Sequence, residues 1–140
     1  MARVTYHLVD LRGDGYRGGY LDTDARILIA CFKLFEDFYD KEYPGPVKWD
    51  RKAAREIEAL HEWWKRGRRQ AQKRAETLAR KGKLRGAKIT KDPGSGVWKW
   101  NSNWRSAAAK RKWLAAAKKA DGQDQEMLLR LMAIRERLWT

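Results

Sequence analysis

From Thr23 onward apolar side chains return every three or four residues. On a wheel of about 100° per residue, Ile27, Leu28, Cys31, Phe32, Leu34, Phe35, Phe38 and Tyr39 fill one arc, while Lys33, Asp37 and Asp40 face away. The pattern predicts a core helix over about residues 23–43. Asp22 or Thr23 can cap it, and Pro44 and Pro46 in "YPGP" stop it. A second helix is predicted over about residues 50–82, opening on Asp50 as N-cap. Ile57, Leu60, Trp64, Ala71, Ala75 and Leu78 share its apolar stripe, and Gly67 beside that stripe marks a kink or a close-packing point.

A third, alanine-rich helix is predicted over about residues 103–120, ending where Gly122 suits a left-handed cap. The last covers about 124–139, with Leu128, Leu131, Met132, Ile134, Leu138 and Trp139 in its apolar arc. Two stretches lack this period. Residues 1–21 combine a short alternation (Val4, Tyr6, Leu8) with the turn-forming "RGDGYRGGY". Residues 82–97 are glycine-rich and contain Pro93. There "AKIT" and "VWKW" are candidates for a small β-hairpin. The expected fold is mainly α: about four helices in one small domain spanning residues 1–140, with that hairpin as the minimal sheet.

Charge changes this picture. Residues 65–119 hold nineteen Lys or Arg against Glu76 and Asp92, and the rest of the chain holds thirteen bases and sixteen acids. The molecule therefore reads as a near-neutral helical frame carrying a basic insert over 65–119. Self-repulsion on that scale calls for a polyanion, RNA or DNA first, or an acidic protein surface; a plainly solvated face is the alternative. No apolar run reaches the roughly 20 residues of a membrane span, so no membrane partner is expected. The first residues lack the apolar core of a secretory signal. One cysteine, Cys31, excludes an internal disulfide and fits a reducing cytoplasm. With only His7 and His61 beside it, it makes no zinc site.

Three pieces carry a resemblance: "YLDTDARILIACFKLFEDFYDKEYP", the "LHEWW" pair, and "DQEMLLRLMAIRERLWT" at the C-terminal end. Together, over about half of the chain, they resemble a family of small uncharacterised tailed-phage proteins. The resemblance implies a phage setting and brings no activity with it. The basic stretch departs from the family pattern, which puts any specialised function in the insert.

Within the insert, Arg66, Arg69, Lys73 and Arg80 fall within about 60° of one another on an α-helical wheel, opposite Trp64, Ala71, Ala75 and Leu78. They would form a cationic rod about 20 Å long. An ordinary solvated face mixes Glu with Lys at i,i+4, whereas here Glu76 stands alone. Lys81, Lys83, Arg85, Lys88 and Lys91 follow where a loop can track a phosphate backbone. Trp98, Trp100, Trp104 and Trp113 lie among Lys99, Arg105, Lys110, Arg111 and Lys112, the composition of a single-strand platform. Trp104 shares a predicted helical face with Ala107, Ala108 and Leu114 and reads as core. For Trp98 and Trp100, base stacking and packing both remain open. Arg135, in the middle of the last apolar arc, needs a carboxylate, with Asp24, Glu36 and Glu56 as candidates; the alternative is that this face meets another chain.

Support for catalysis is thin. Asp10, Asp14, Asp22 and Asp24 are the carboxylates that a magnesium-dependent nuclease would need, yet turns and caps account for all four. "GDGYRGG" lacks the Lys-Ser/Thr end of a phosphate loop. His61 has no metal-binding spacing, and Cys31 on an apolar face is expected to be buried and inert. The expected function is a non-enzymatic, phage-encoded nucleic-acid-binding protein of the host cytoplasm, without cofactor or metal, acting on a host nucleoprotein such as a defence complex. The alternatives are a virion or assembly component lying against packaged DNA or an acidic protein, and the small nuclease.

Overall fold

The computed structural model describes residues 23–45, 48, 50–84, 88–101 and 103–139; at 23, 88, 100, 101 and 139 it describes the backbone alone. Helix α1 is Thr23–Lys41. It ends in a turn where the N–H groups of Glu42 and Tyr43 both donate to the Phe38 carbonyl, at 2.8 and 3.1 Å, ahead of Pro44. Helix α2 is Arg51–Glu62, opened by Asp50, whose Oδ1 accepts the Lys52 N–H at 2.9 Å. A π-helical turn, Trp63–Gly67, leads straight into α3, Arg68–Gly82. Strands β1 (Lys88–Lys91) and β2 (Trp98–Asn101) form an antiparallel hairpin, and α4 runs Ala107–Ile134 before tightening into a 3₁₀ turn, Arg135–Trp139. The protein is mainly helical with a minimal two-stranded sheet, as the hydrophobic pattern predicts.

The chain divides into two compact units: residues 1–65 with 124–140, and residues 66–123. The second coincides closely with the basic insert.

The first unit holds the core. Leu28, Ile29, Phe32 and Phe35 of α1 cluster with Ile57, Leu60, Trp63 and Trp64, and with Leu131 and Leu138. Phe32 is its centre, with its ring 5.0 Å from Trp64 and 5.1 Å from Trp63. Consecutive residues of a regular α-helix point about 100° apart. The wider π turn accommodates two consecutive indoles against one phenyl ring, and both are buried. Polar pairs edge this core. The indole Nε1 of Trp64 donates to Glu36 Oε2 at 2.9 Å, and Lys65 pairs with Oε1 of the same carboxylate. Burial pushes Glu36 up, but those two donors outweigh it and hold the carboxyl below its ordinary value. Arg130 forks onto Glu56 at 2.6 and 2.9 Å, which lowers the Glu56 pKa.

Four expectations need correction. The helix does not break at Gly122: α4 continues through it. A helical glycine costs only about 1 kcal/mol, and the Ala- and Lys-rich turns before it, with Gln123 to Leu129 after it, outweigh that cost. The start of the helix also moves, to Ala107, so Trp104 lies in a bridge with Lys83 ahead of the helix and is half-buried. Arg135 is exposed, and Arg130 makes the pair with Glu56. The wheel that placed Arg135 among apolar neighbours assumes 3.6 residues per turn, and the chain tightens to 3₁₀ at that residue. Ile27 and Leu34, assigned to the apolar arc of α1, are more than half exposed, because the arc is broader than what packs on it. Cys31 is half-buried, and burial raises its thiol pKa. The proposed strand around Val4–Leu8, the "RGDGYRGGY" loop, His7, Arg85 and three of the four candidate carboxylates (Asp10, Asp14, Asp22) lie outside the described residues.

Candidate nucleic-acid interface

Residues 66–123 hold eighteen Lys or Arg against Glu76, Asp92 and Asp121. Their local structure follows from three devices.

The first is a glycine seat. At the end of α3, the Gly82 carbonyl accepts the Arg105 N–H at 2.8 Å, and Leu84 N–H donates to the Asn103 carbonyl at 2.7 Å. This lays Trp104 across Gly82 so closely that a Cβ there would sit 2.9 Å from the indole. Trp113 of α4 meets Trp104 at 5.1 Å, and the Lys83 ammonium lies 5.3 and 5.5 Å from the two ring centroids, within cation–π range.

The second device is the hairpin turn. Asp92 Oδ1 accepts the Gly94 N–H at 3.2 Å, and its Oδ2 accepts from Ser95 Oγ at 2.9 Å and pairs with Lys99 at 3.3 Å. The Gly94 N–H, then Ser95, then Lys99 hold its carboxyl below the ordinary value. Gly96 takes the left-handed φ of 69° that closes the turn.

The third is the Ser106 cap, whose Oγ accepts the Ala109 N–H at 3.1 Å and starts α4. The first turn of α4 contains no acid, and Arg105, Lys110, Arg111 and Lys112 crowd its positive end. Helices ordinarily place acids there. The arrangement raises the local positive potential instead of compensating it.

On this frame the predicted cations distribute as follows. Arg69, Lys73 and Arg80 are exposed along one face of α3, within about 40° of one another and over about 16 Å. Among the described residues they make no ion pair. Arg66 is also exposed but lies in the π turn, so the uniform wheel that aligned it with the other three does not hold there. Lys81 is exposed at the last turn of α3. Lys110, Arg111 and Lys112 are exposed around the first two turns of α4. Lys83 is exposed but engaged with the two indoles. Lys99 is partly neutralised by Asp92. Trp98 is exposed, and Trp100 and Lys88 are described as backbone only, opposite Ile89 and Asn101 respectively in the hairpin.

Arg74, Lys118 and Lys119 join the exposed basic set although the pattern did not single them out. Lys118 and Lys119 follow Arg111 and Lys112 by seven residues and return to nearly the same faces. That spacing lies wholly inside the helix expected over 103–120 and was legible in the sequence.

Such a surface attracts polyanions. A 16 Å length of duplex carries roughly nine phosphate charges, more than enough for the α3 row. Among the described residues no group of three His, Cys, Asp or Glu side chains is placed to hold a metal ion, and no described helix is long and apolar enough to cross a membrane. Comparison with protein-family models, curated proteins and solved structures finds no match to this chain.

Proposed function

We propose that the protein is a non-enzymatic nucleic-acid-binding protein that grips RNA or DNA through the basic unit 66–123. The observation that carries the reading is the α3 face, where Arg69, Lys73 and Arg80 stand exposed in one row with no ion pair among the described residues. A solvated helix meant only for solubility places acids among its bases; here six bases of α3 face a single acid, Glu76, which is exposed on the same face and makes no ion pair with the three. The second basic set, on α4, supports the same reading. The resemblance of the sequence to tailed-phage proteins supports a phage-encoded factor at work in the host cytoplasm, with a host nucleoprotein such as a defence complex as its target.

Binding isotherms over a range of salt test the reading. Affinity for DNA or RNA falls as log K loses about 0.9 per neutralised duplex phosphate, or 0.7 on single strands. Changing Arg69, Lys73 and Arg80 together to Gln reduces that slope by about two to three and leaves helicity intact, because the three side chains are exposed. An unchanged slope in the triple variant overturns the α3 row as the contact surface. For the cellular target, a pull-down from infected cells loses its host partners when nuclease is added.

A further inference from the structure

Trp98 is the most solvent-exposed large apolar side chain among the described residues, at 65%. Indoles more commonly bury most of their surface. Two further apolar side chains of the same hairpin are left in water, Ile89 at 55% and Val97 at 56%. Register explains why Trp98 is not simply loose. It pairs directly across the hairpin with Lys91, and the Lys91 ammonium lies 5.9 Å from the indole centroid, so the ring is oriented by a cation. The turn that sets this register is fixed by the Asp92 hydrogen bonds to Gly94 and Ser95. The neighbouring Lys99 projects to the opposite face of the strand, where Asp92 holds it. An exposed indole flanked by an ammonium is therefore displayed on a short two-stranded ribbon, inside a strongly basic unit.

We infer that Trp98 is a base-stacking residue and that the preferred ligand of the basic unit is single-stranded nucleic acid: an unpaired base stacks on the indole while Lys91 reaches the adjacent phosphate. The inference rests on the nucleic-acid reading above and adds the substrate class. Charge complementarity selects this occupant over an apolar protein surface. Lys91 stands beside the ring, and Glu76, Asp92 and Asp121 are the only acids in the unit, with Asp92 already occupied. Stacking favours single strands because bases within a duplex offer no free face.

The test compares a short oligothymidylate with a duplex of equal length, titrated into wild type, Trp98→Ala, Trp98→Leu and Trp98→Phe. Leu keeps apolar bulk on the strand without a π-face, and Phe keeps a smaller one. Wild type binds the single strand more tightly than the duplex. Both Trp98→Ala and Trp98→Leu weaken single-strand binding by about five- to a hundredfold with duplex binding unchanged, and Trp98→Phe loses less. Single-strand addition quenches indole fluorescence in wild type, and the Trp98→Phe variant lacks that component. Normal single-strand binding by Trp98→Leu overturns the stacking role while leaving the charged interface standing. Failure of wild type to bind either ligand at low salt overturns the interface itself.

Discussion

Two glycines of the basic unit, given the same substitution, should respond with opposite sign. Gly82 and Gly122 both lie in helices, so alanine at either removes a conformational penalty of about 0.5–1 kcal/mol. At Gly122 a Cβ meets nothing within 4 Å, and that gain stands alone. At Gly82 the added methyl would lie 2.9 and 3.0 Å from two ring carbons of Trp104 and 3.3 Å from the Ala109 Cβ. Carbon atoms rest about 3.5–4.0 Å apart, so the indole must retreat by roughly half an ångström. Retreat is resisted, because Trp113 lies against the ring and the Gly82 carbonyl accepts the N–H of the next residue, Arg105. Overpacking of this kind costs about 1–3 kcal/mol, which exceeds the propensity gain. Gly82→Ala should therefore destabilise by about 1 kcal/mol and Gly122→Ala should stabilise by a little less. Urea unfolding followed by circular dichroism reads the difference: at about 1–3 kcal/mol per molar, the two midpoints separate by on the order of 1 M. If Gly82→Ala proves as stabilising as Gly122→Ala, the indole does not sit across the end of α3.

In the other unit, Phe32→Ala removes a fully buried ring between Trp63 and Trp64 and should cost about 3–5 kcal/mol; a thermal midpoint within a few degrees of wild type would contradict the core assignment. A double-mutant cycle on Arg130 and Glu56, a fork about one-third exposed, should give a coupling of about 1 kcal/mol once solvent screening is allowed for. The same pair sets a pH response. Arg130 lowers the folded-state pKa of Glu56, so its contribution is present above the unfolded value of about 4.3 and is lost as pH falls through the folded value. Urea midpoints should fall less steeply on acidification in Glu56→Gln than in wild type.

Helical periodicity made most of the first unit legible. Phe32, Phe35, Ile57, Leu60 and Trp64 are buried where a 3.6-residue repeat puts them. The readings that failed cluster where the repeat changes. Trp63 joins Trp64 in the core because the turn widens to π there, and Arg135 leaves it because the last turn narrows to 3₁₀. Neither change is written in local propensity; each answers to packing against residues far along the chain. The basic set was legible because charge is a matter of composition. The engagement of Lys83 with Trp104 and Trp113, and of Lys91 with Trp98, was not, since both depend on a register that only the folded hairpin and the Gly82 seat define.

Among the described residues of 66–123 only Gly82 is buried, and its apolar contacts come down to half-buried alanines, Leu78 and two indoles. This unit therefore has little hydrophobic burial to set against the mutual repulsion of eighteen bases. On the proposed reading, a bound polyanion would also be part of its architecture: every phosphate that docked would relieve repulsion that the side chains cannot relieve themselves. By mass action, a polyanion that favours the folded form must raise the stability of that form, and ions in the buffer do the same more weakly. Desalting and heating should act on this unit as one variable, and on the proposed reading the protein should be most ordered where polyanions are most abundant.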